Sequence, residues 1–209
     1  MKIFVIGFNK TGTTSLHELF KKSNINSTHT NIPVMNIIHK FDAFTDGHHY
    51  DSRFKEYYKS CPSSIFILNT RPIGKWLISR YKHAKNKNFQ DCWCWPISKN
   101  KTNQWIKDRE IHYKNILDFF IDKPKQLLIV NIEKNGWEGE VLNFINKPII
   151  FETFHKNQNE FEENEILLDE ITKNVNECLT EKGYTGDELL IKGLNLESYE
   201  YASNFYNIC

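Results

Sequence analysis

Short, uninterrupted runs of apolar residues recur along the chain, and each is followed by a longer amphipathic stretch. Residues 3–6 form the first run, which is β-branched and aromatic and ends at Gly7, and residues 65–68 have the same character. Strands buried on both faces show this pattern, whereas half-exposed strands alternate apolar and polar residues. Two more strands are predicted over residues 41–45 and 127–132.

The amphipathic stretches predict helices. In the first of them, Leu16, Leu19 and Phe20 share one face of a helix that begins at Thr13. Further helices are predicted over residues 53–59, from Pro72 onward, and over 102–120, 137–145 and 160–179. Because strands without a polar face alternate with helices, we predict an α/β fold. It is a three-layer sandwich with a parallel sheet between two layers of helices.

Length and composition favour one folded domain. We expect a single domain over residues 1–209, with its core in residues 1–150 and a C-terminal helical extension in residues 151–209. The 15 Phe, 9 Tyr and 5 Trp residues supply more apolar surface than a disordered chain carries.

Charge and cysteine content narrow the function classes. Lys and Arg number 27 against 26 Asp and Glu, and a formal net charge of +1 argues against nucleic acid as a partner. Five cysteines without regular spacing indicate free thiols in a reducing compartment. No signal-peptide pattern is present, and no run approaches the roughly 20 apolar residues of a membrane helix. We therefore expect a cytoplasmic protein with no membrane partner.

The segment between the first strand and the first helix is a candidate anion site. It has the sequence Gly7-Phe-Asn-Lys10-Thr-Gly12-Thr-Thr-Ser15. Backbone N–H groups at a helix start lack intrahelical partners and bind anions, and glycines let the backbone approach them closely. This opening makes the predicted fold similar to that of the P-loop NTPases. However, Thr13 stands where a nucleotide kinase carries the loop lysine, and no predicted strand ends in an aspartate suited to magnesium, so we expect no metal.

Three segments, in order along the chain, resemble the sulfotransferases that use 3′-phosphoadenosine 5′-phosphosulfate (PAPS) as donor. Residues 10–15 (KTGTTS) resemble the family's 5′-phosphosulfate loop. Residues 66–79 (FILNTRPIGKWLIS) resemble its strand that ends in an arginine, followed by a helix that carries a serine. Residues 127–144 resemble its later strand and the helix with the pattern GW…L…F.

The resemblance implies PAPS as co-substrate and 3′-phosphoadenosine 5′-phosphate (PAP) as product. It implies that Lys10 stabilises the bridging oxygen as the donor bond breaks, and that Arg71 and Ser79 hold the 3′-phosphate. An arginine suits that role because it binds phosphate through two parallel charge-assisted hydrogen bonds. The donor-binding residues implied are Lys10, Thr11, Gly12, Thr13, Thr14, Ser15, Arg71 and Ser79.

The acceptor, a small molecule or a glycan or peptide, must lose a proton, so a general base is expected. In the family it follows the strand that precedes the arginine strand. Asp46 falls nearest that position, His48 is the second candidate and His49 the third. Asp46 also suits a structural role as the cap of the turn before Gly47.

Alternative interpretations remain for the whole chain and for single residues. The chain is alternatively a divergent P-loop kinase that needs ATP and magnesium, or a nucleotide-binding protein without activity. Arg71 is alternatively a structural ion-pair partner, and Ser79 a solvent-facing helix residue. We interpret Cys92 and Cys94, in a Trp-rich segment, as part of a lid or aromatic cluster, since one C-x-C pair is weak grounds for zinc.

Overall fold

The computed structural model describes residues 1–30, 32–46, 53–86, 97–148 and 165–192. None of the helices within these ranges is both long and apolar enough to cross a membrane. The elements, in chain order, are β1 (Ile3–Val5), α1 (Thr13–Lys22), β2 (Ser27–Thr28), α2 (Val34–Ile37), β3 (Ala43–Phe44), α3 (Phe54–Ser60), β4 (Ile65–Thr70), α4 (Ile73–Asn86), α5 (Lys99–Phe120), a 3₁₀ turn (Pro124–Gln126), β5 (Leu127–Asn131), α6 (Trp137–Phe144) and α7 (Glu165–Glu181).

The five strands form one parallel sheet in the order β2-β3-β1-β4-β5. After β1 the chain builds β2 and β3 on one side of it, then crosses to build β4 and β5 on the other. In the resulting register, Phe4 of β1 lies opposite Phe44 of β3 and Phe66 of β4. Open parallel sheets bind ligands at the carboxyl ends of the strands where the strand order reverses, which here is beside β1. The prediction of an α/β fold with a parallel sheet is confirmed.

Side chains alternate between the two faces of β4, and each face has its own layer of helices. Ile65 and Ile67 belong to a hydrophobic cluster with residues of α1 and α6. Phe66 and Leu68 belong to a second cluster with residues of α3, α4, α5 and α7. All six residues of β4 are buried, which explains why its sequence is apolar without alternation. Two clusters on opposite faces of one sheet give the three predicted layers.

Two elements lie where the sequence pattern predicts none. β2 is a two-residue, half-buried strand at the sheet edge, and α2 is a single turn. So short and polar an edge strand has no hydrophobic signature. A third difference concerns α5, which begins at Lys99 rather than at residue 102. The Ser98 hydroxyl accepts from the Lys101 N–H and so caps the helix earlier.

Helix α7 packs into the core. Its buried face, which includes Ile171, Val175 and Leu179, belongs to the larger of the two hydrophobic clusters. The first residues of the predicted helix, 160–164, lie outside the described residues. This part of the expected C-terminal extension therefore completes the helix layer over one face of the sheet.

A buried arginine holds the segment that follows α7. Arg109 of α5 is 1% exposed and donates to the carbonyl oxygens of Leu189 (2.6 Å) and Arg71 (3.2 Å). The same segment covers the start of α4, where the Ile73 N–H donates to the Glu188 carbonyl over 3.0 Å. These bonds fix the C-terminal segment to the carboxyl end of β4, close to the expected site.

Candidate functional site

The loop between β1 and α1 (residues 7–12, the β1–α1 loop) closes at the carboxyl end of the central strand. The Thr11 N–H donates to the Phe8 carbonyl over 3.3 Å, and the Thr11 hydroxyl donates to the same oxygen. Lys10 and Gly12 have φ angles of 66° and 89°. Because lysine rarely adopts this left-handed conformation, the closed loop and not its own preference holds Lys10 in place.

Asn69, the fifth residue of β4, joins the two ends of this loop. Its buried side-chain oxygen accepts from the Gly7 N–H over 3.0 Å. Its amide nitrogen lies 2.7 Å from both the carbonyl and the hydroxyl oxygen of Thr11. A Cβ on Gly7 would lie 2.1 Å from the Asn69 carbonyl oxygen, so only glycine fits there. Asn69 was given no role from the sequence, although a polar residue in an apolar strand was a signal for one.

Two side chains of α4 hold the middle of the loop. The Trp76 indole N–H donates to the Asn9 carbonyl over 3.1 Å, and the Arg80 guanidinium donates to the Asn9 side-chain oxygen over 2.6 Å. Both side chains are buried, and the Arg80 guanidinium lies 4.5 Å from the centre of the Trp105 ring. The loop is thus bound by β4 at its ends and by α4 at its middle, and we call it the cradle.

Backbone N–H groups at the start of α1, directly after the loop, are of the kind that binds anions. Gly12 is the cap residue, and no side chain caps the helix. The first intrahelical bond runs from the Leu16 N–H to the Gly12 carbonyl, so the N–H groups of Thr13, Thr14 and Ser15 precede it. Groups at these positions have no carbonyl partner within a helix, and the helix dipole favours a negative charge beside them. The first turn of α1, which is fully described, contains no acidic residue.

Arg71 follows β4 and lies against the same loop. One terminal nitrogen of its guanidinium donates to the Lys10 carbonyl over 3.2 Å. The other forms an ion pair with Glu133, which also contacts the Lys75 ammonium at 3.2 Å. The Arg71 and Glu133 side chains are 19% and 25% exposed, so water screens the pair only in part. The structure therefore brings the predicted residues Lys10 and Arg71 together, and the ion pair considered for Arg71 is present.

Glu133 is a site residue that the sequence analysis missed. It lies two residues after β5, and its N–H donates to the Asn131 side-chain oxygen over 3.0 Å. That turn directs the carboxylate toward Arg71. No sequence signal marks this role, because an acidic residue after a strand is common in solvent-facing loops.

The remaining predicted residues occupy different places. Thr11 is fully buried and its hydroxyl is bonded within the loop, so its side chain is part of the cradle. Ser79 is half-buried on α4, next to Arg80. Asp46 lies two residues after β3, at the carboxyl edge of the sheet. His48 and His49 lie outside the described residues.

Asp46 belongs to a cluster of polar side chains centred on His29, which the sequence analysis did not identify. Nε2 of His29 lies 3.5 Å from the Asp46 carboxylate and 3.3 Å from the Thr14 hydroxyl. Nδ1 of His29 lies 3.1 Å from the Thr45 hydroxyl. His17 stacks on His29 with 5.8 Å between ring centres. His29 follows the short strand β2, and because the pattern did not predict β2, it gave no reason to place His29 at this edge.

A narrow pocket adjoins Asp46. It encloses about 10 Å³, room for one water molecule. Phe44, Phe54 and Tyr57 contribute to its apolar lining, and His112 lines it with its Nε2 bonded to a backbone carbonyl over 2.7 Å. The carboxylate of Asp46 therefore lies at the border between a polar cluster and an apolar surface.

A search for metal-binding groups and comparisons with known proteins gave no further information on this site. Among the described residues, no group of three His, Cys, Asp or Glu side chains is placed to hold a metal ion. Cys92 and Cys94 lie outside that part of the chain. No protein-family model matches the chain, and no curated protein matches it at a significant level. What is shown is an α/β domain whose β1–α1 loop, Arg71 and Asp46 lie along the carboxyl edge of one parallel sheet.

Proposed function

We propose that the protein is a sulfotransferase that moves a sulfuryl group from PAPS to a hydroxyl or amine of an acceptor. The observation that carries the proposal is the contact of the Arg71 guanidinium with the Lys10 backbone. The Arg71 guanidinium thus lies against the loop that leads into α1, a helix whose start has no side-chain cap. An adenosine donor with an anionic group on each side of its ribose requires two cationic positions next to a backbone anion site.

The proposed donor contacts fall into two groups, one for each anionic end of PAPS. The N–H groups at the start of α1 and the hydroxyls of Thr13 and Thr14 take the 5′-phosphosulfate. Thr11 and Gly12 contribute only through their backbone, since the Thr11 hydroxyl is bonded within the loop. Arg71 and Ser79 take the 3′-phosphate. A guanidinium has five N–H donors, so Arg71 has hydrogens for a phosphate in addition to its protein partners.

The transfer itself requires positioning and charge stabilisation. The acceptor oxygen attacks sulfur in line while the bond from sulfur to the bridging phosphate oxygen breaks. Negative charge grows on that oxygen, and Lys10 with the loop N–H groups stabilises it. A sulfuryl group carries less negative charge than a γ-phosphoryl group, so a lysine takes the part that magnesium plays in kinases. The acceptor proton passes to Asp46, the one of the three candidate bases that lies within the described residues.

Ligand binding tests the donor assignment. We expect PAP to raise the melting temperature of the protein, and ATP with magnesium to leave it nearly unchanged. A larger shift with ATP and magnesium would instead support the divergent P-loop kinase. Binding of PAP without conversion of PAPS to PAP, across a panel of phenols, sugars and peptides, would support a nucleotide-binding protein without activity.

Lys10→Ala tests the catalytic assignment. We expect it to lower PAPS turnover by about 100-fold or more, as loss of one oxyanion donor does in other enzymes. Lys114→Ala is the matched control, because Lys114 is an exposed lysine of α5 paired with Asp118. Turnover of Lys10→Ala close to that of Lys114→Ala would refute the role of Lys10.

A further inference from the structure

His29 lies where the donor half and the acceptor half of the proposed site meet. Its Nε2 is 3.3 Å from the hydroxyl of Thr14 in the first turn of α1, and 3.5 Å from the carboxylate of Asp46. The side chains of His29 and Asp46 are each about one quarter exposed. One ring thus links the helix start assigned to the donor with the carboxylate assigned to the acceptor proton.

The hydrogen-bond partners of His29 indicate where one ring hydrogen lies. The Thr45 hydroxyl donates its single hydrogen to the Thr28 carbonyl over 3.1 Å. It therefore accepts at its 3.1 Å contact with Nδ1 of His29, and Nδ1 carries a hydrogen.

The second ring nitrogen faces the Asp46 carboxylate, which has only lone pairs when ionised. In a neutral ring with its hydrogen on Nδ1, Nε2 also presents a lone pair, and two acceptors 3.5 Å apart repel. A hydrogen on Nε2 replaces this repulsion by an attraction between an imidazolium and a carboxylate. With Asp46 ionised, the charged ring is the form in which the Nε2 hydrogen has two acceptors, the carboxylate and the Thr14 hydroxyl oxygen at 3.3 Å.

The other titratable groups near His29 agree with this assignment. His17 stacks on it from α1, with Glu18 and Lys21 on the same helix. Burial and then the charge of His29 lower the pKa of His17. On the other side of Asp46, His112 of α5 lines the adjoining pocket, and its Nε2 is engaged with a backbone carbonyl.

We propose that His29 is the positioning residue of the acid–base half of the site, an inference that rests on the proposed sulfotransferase function. Its imidazolium holds the Asp46 carboxylate ionised and fixed beside the first turn of α1. As the acceptor oxygen bonds to sulfur, its O–H bond breaks and the proton goes to Asp46. The bond from sulfur to the 5′-phosphate oxygen breaks with its electron pair on that oxygen. His29 keeps both ring hydrogens throughout.

The pairing is tested without substrate by NMR titration of the histidine rings. We expect the His29 ring in Asp46→Asn to lose its charge at a pH about one unit lower than in the wild type, because the variant removes the facing negative charge. His17→Gln is the matched control. We expect it to move the pH midpoint of the His29 titration only slightly, and to higher pH, since a neutral residue replaces a ring that is itself cationic at low pH. An unchanged His29 midpoint in Asp46→Asn would overturn the pairing.

The positioning role is tested by the pH profile of PAPS hydrolysis, with water as the acceptor and PAP measured by chromatography. In the wild type we expect an acidic limb from protonation of Asp46 and an alkaline limb from loss of the His29 charge. His29→Gln keeps an N–H donor toward Asp46 but has no charge. We expect it to lose the alkaline limb and to move the acidic limb to higher pH, while retaining more rate than His29→Ala.

Matched variants decide between this role and a structural one. His17→Gln should keep both limbs, since His17 does not contact Asp46 in the described contacts. A His29→Gln profile with both wild-type limbs, or His29→Ala with wild-type rate, would overturn the positioning role of His29. PAP binding by calorimetry separates this failure from that of the function. If the wild type does not bind PAP, the sulfotransferase proposal fails, and the positioning role fails with it.

Discussion

Replacement of Asn69 should destabilise the protein more than any single hydrogen bond would suggest. The side chain is fully buried and forms three hydrogen bonds with Gly7 and Thr11, at 2.7 to 3.0 Å. Asn69→Ala leaves the Gly7 N–H and the Thr11 carbonyl buried without this partner. It also leaves a cavity in the strand that supports the β1–α1 loop.

The expected magnitude follows from these two groups. Leaving one buried polar group unsatisfied costs about 1–3 kcal/mol, so two cost roughly 2–6 kcal/mol. We expect about 3 kcal/mol, near the lower end, because the loop is short and can move to admit water. For a protein of this size, with a urea m-value of roughly 2–3 kcal/mol/M, this lowers the unfolding midpoint by about 1 M.

The assay is urea unfolding followed by circular dichroism, with two comparison variants. Asn69→Leu keeps much of the volume, so it separates the lost hydrogen bonds from the cavity. Asn26→Ala is the control, since Asn26 is exposed and its side chain makes one bond, to the Lys40 carbonyl at 2.8 Å. If the midpoints of both Asn69 variants lay within about 0.2 M of the control, the loop would not depend on Asn69 and the reasoning would be refuted.

Further measurements test other parts of the structure. Gly7→Ala should lower the urea midpoint, because its Cβ would meet a β4 carbonyl oxygen at 2.1 Å. Gly139→Ala, in α6, should raise the midpoint, because its Cβ would meet nothing within 4 Å and alanine favours a helix, which adds about 0.5–1 kcal/mol to the free energy of unfolding. Glu133→Gln should tighten PAP binding by about threefold to tenfold in calorimetry, because it removes a negative charge that competes for Arg71; unchanged or weaker binding would contradict the phosphate role of Arg71. Burial raises the pKa of Tyr184 to about 12 from 10.0. The folded protein then keeps a proton that the unfolded chain loses, so stability is full below pH 10 and falls as pH rises toward 12. Tyr184→Phe should show a smaller fall in urea midpoint between pH 9.5 and about pH 11.5, and an equal fall in both proteins would exclude Tyr184 as its source.

The fold was predictable where strands are buried on both sides. β1, β4 and β5 each contain a continuous apolar run, because all of their residues except Asn131 are buried. The edge strand β2 and the single-turn helix α2 were not predicted. Their residues are few, and an element with one exposed side needs no apolar signature.

Only the part of the candidate site that is built from consecutive residues could be predicted from the sequence. Lys10 and the start of α1 belong to one contiguous loop, and that loop has a recognisable spacing of glycines. Glu133 and His29 come from distant parts of the sequence, after β5 and after β2. Their meeting with Arg71 and Asp46 depends on strand order, which the sequence pattern does not contain.

The succession of buried strands and amphipathic helices can be read from the amino-acid order alone, because burial on two faces demands apolar residues at consecutive positions. The same order also specifies a glycine-flanked loop whose N–H groups suit an anion, since that chemistry lies within nine consecutive residues, 7–15. Three contacts became visible only in the folded chain: Asn69 binds that loop, Glu133 pairs with Arg71, and His29 faces Asp46. These contacts join residues 17 to 62 positions apart, and parallel strands bring such residues together only once the order of the strands in the sheet is set.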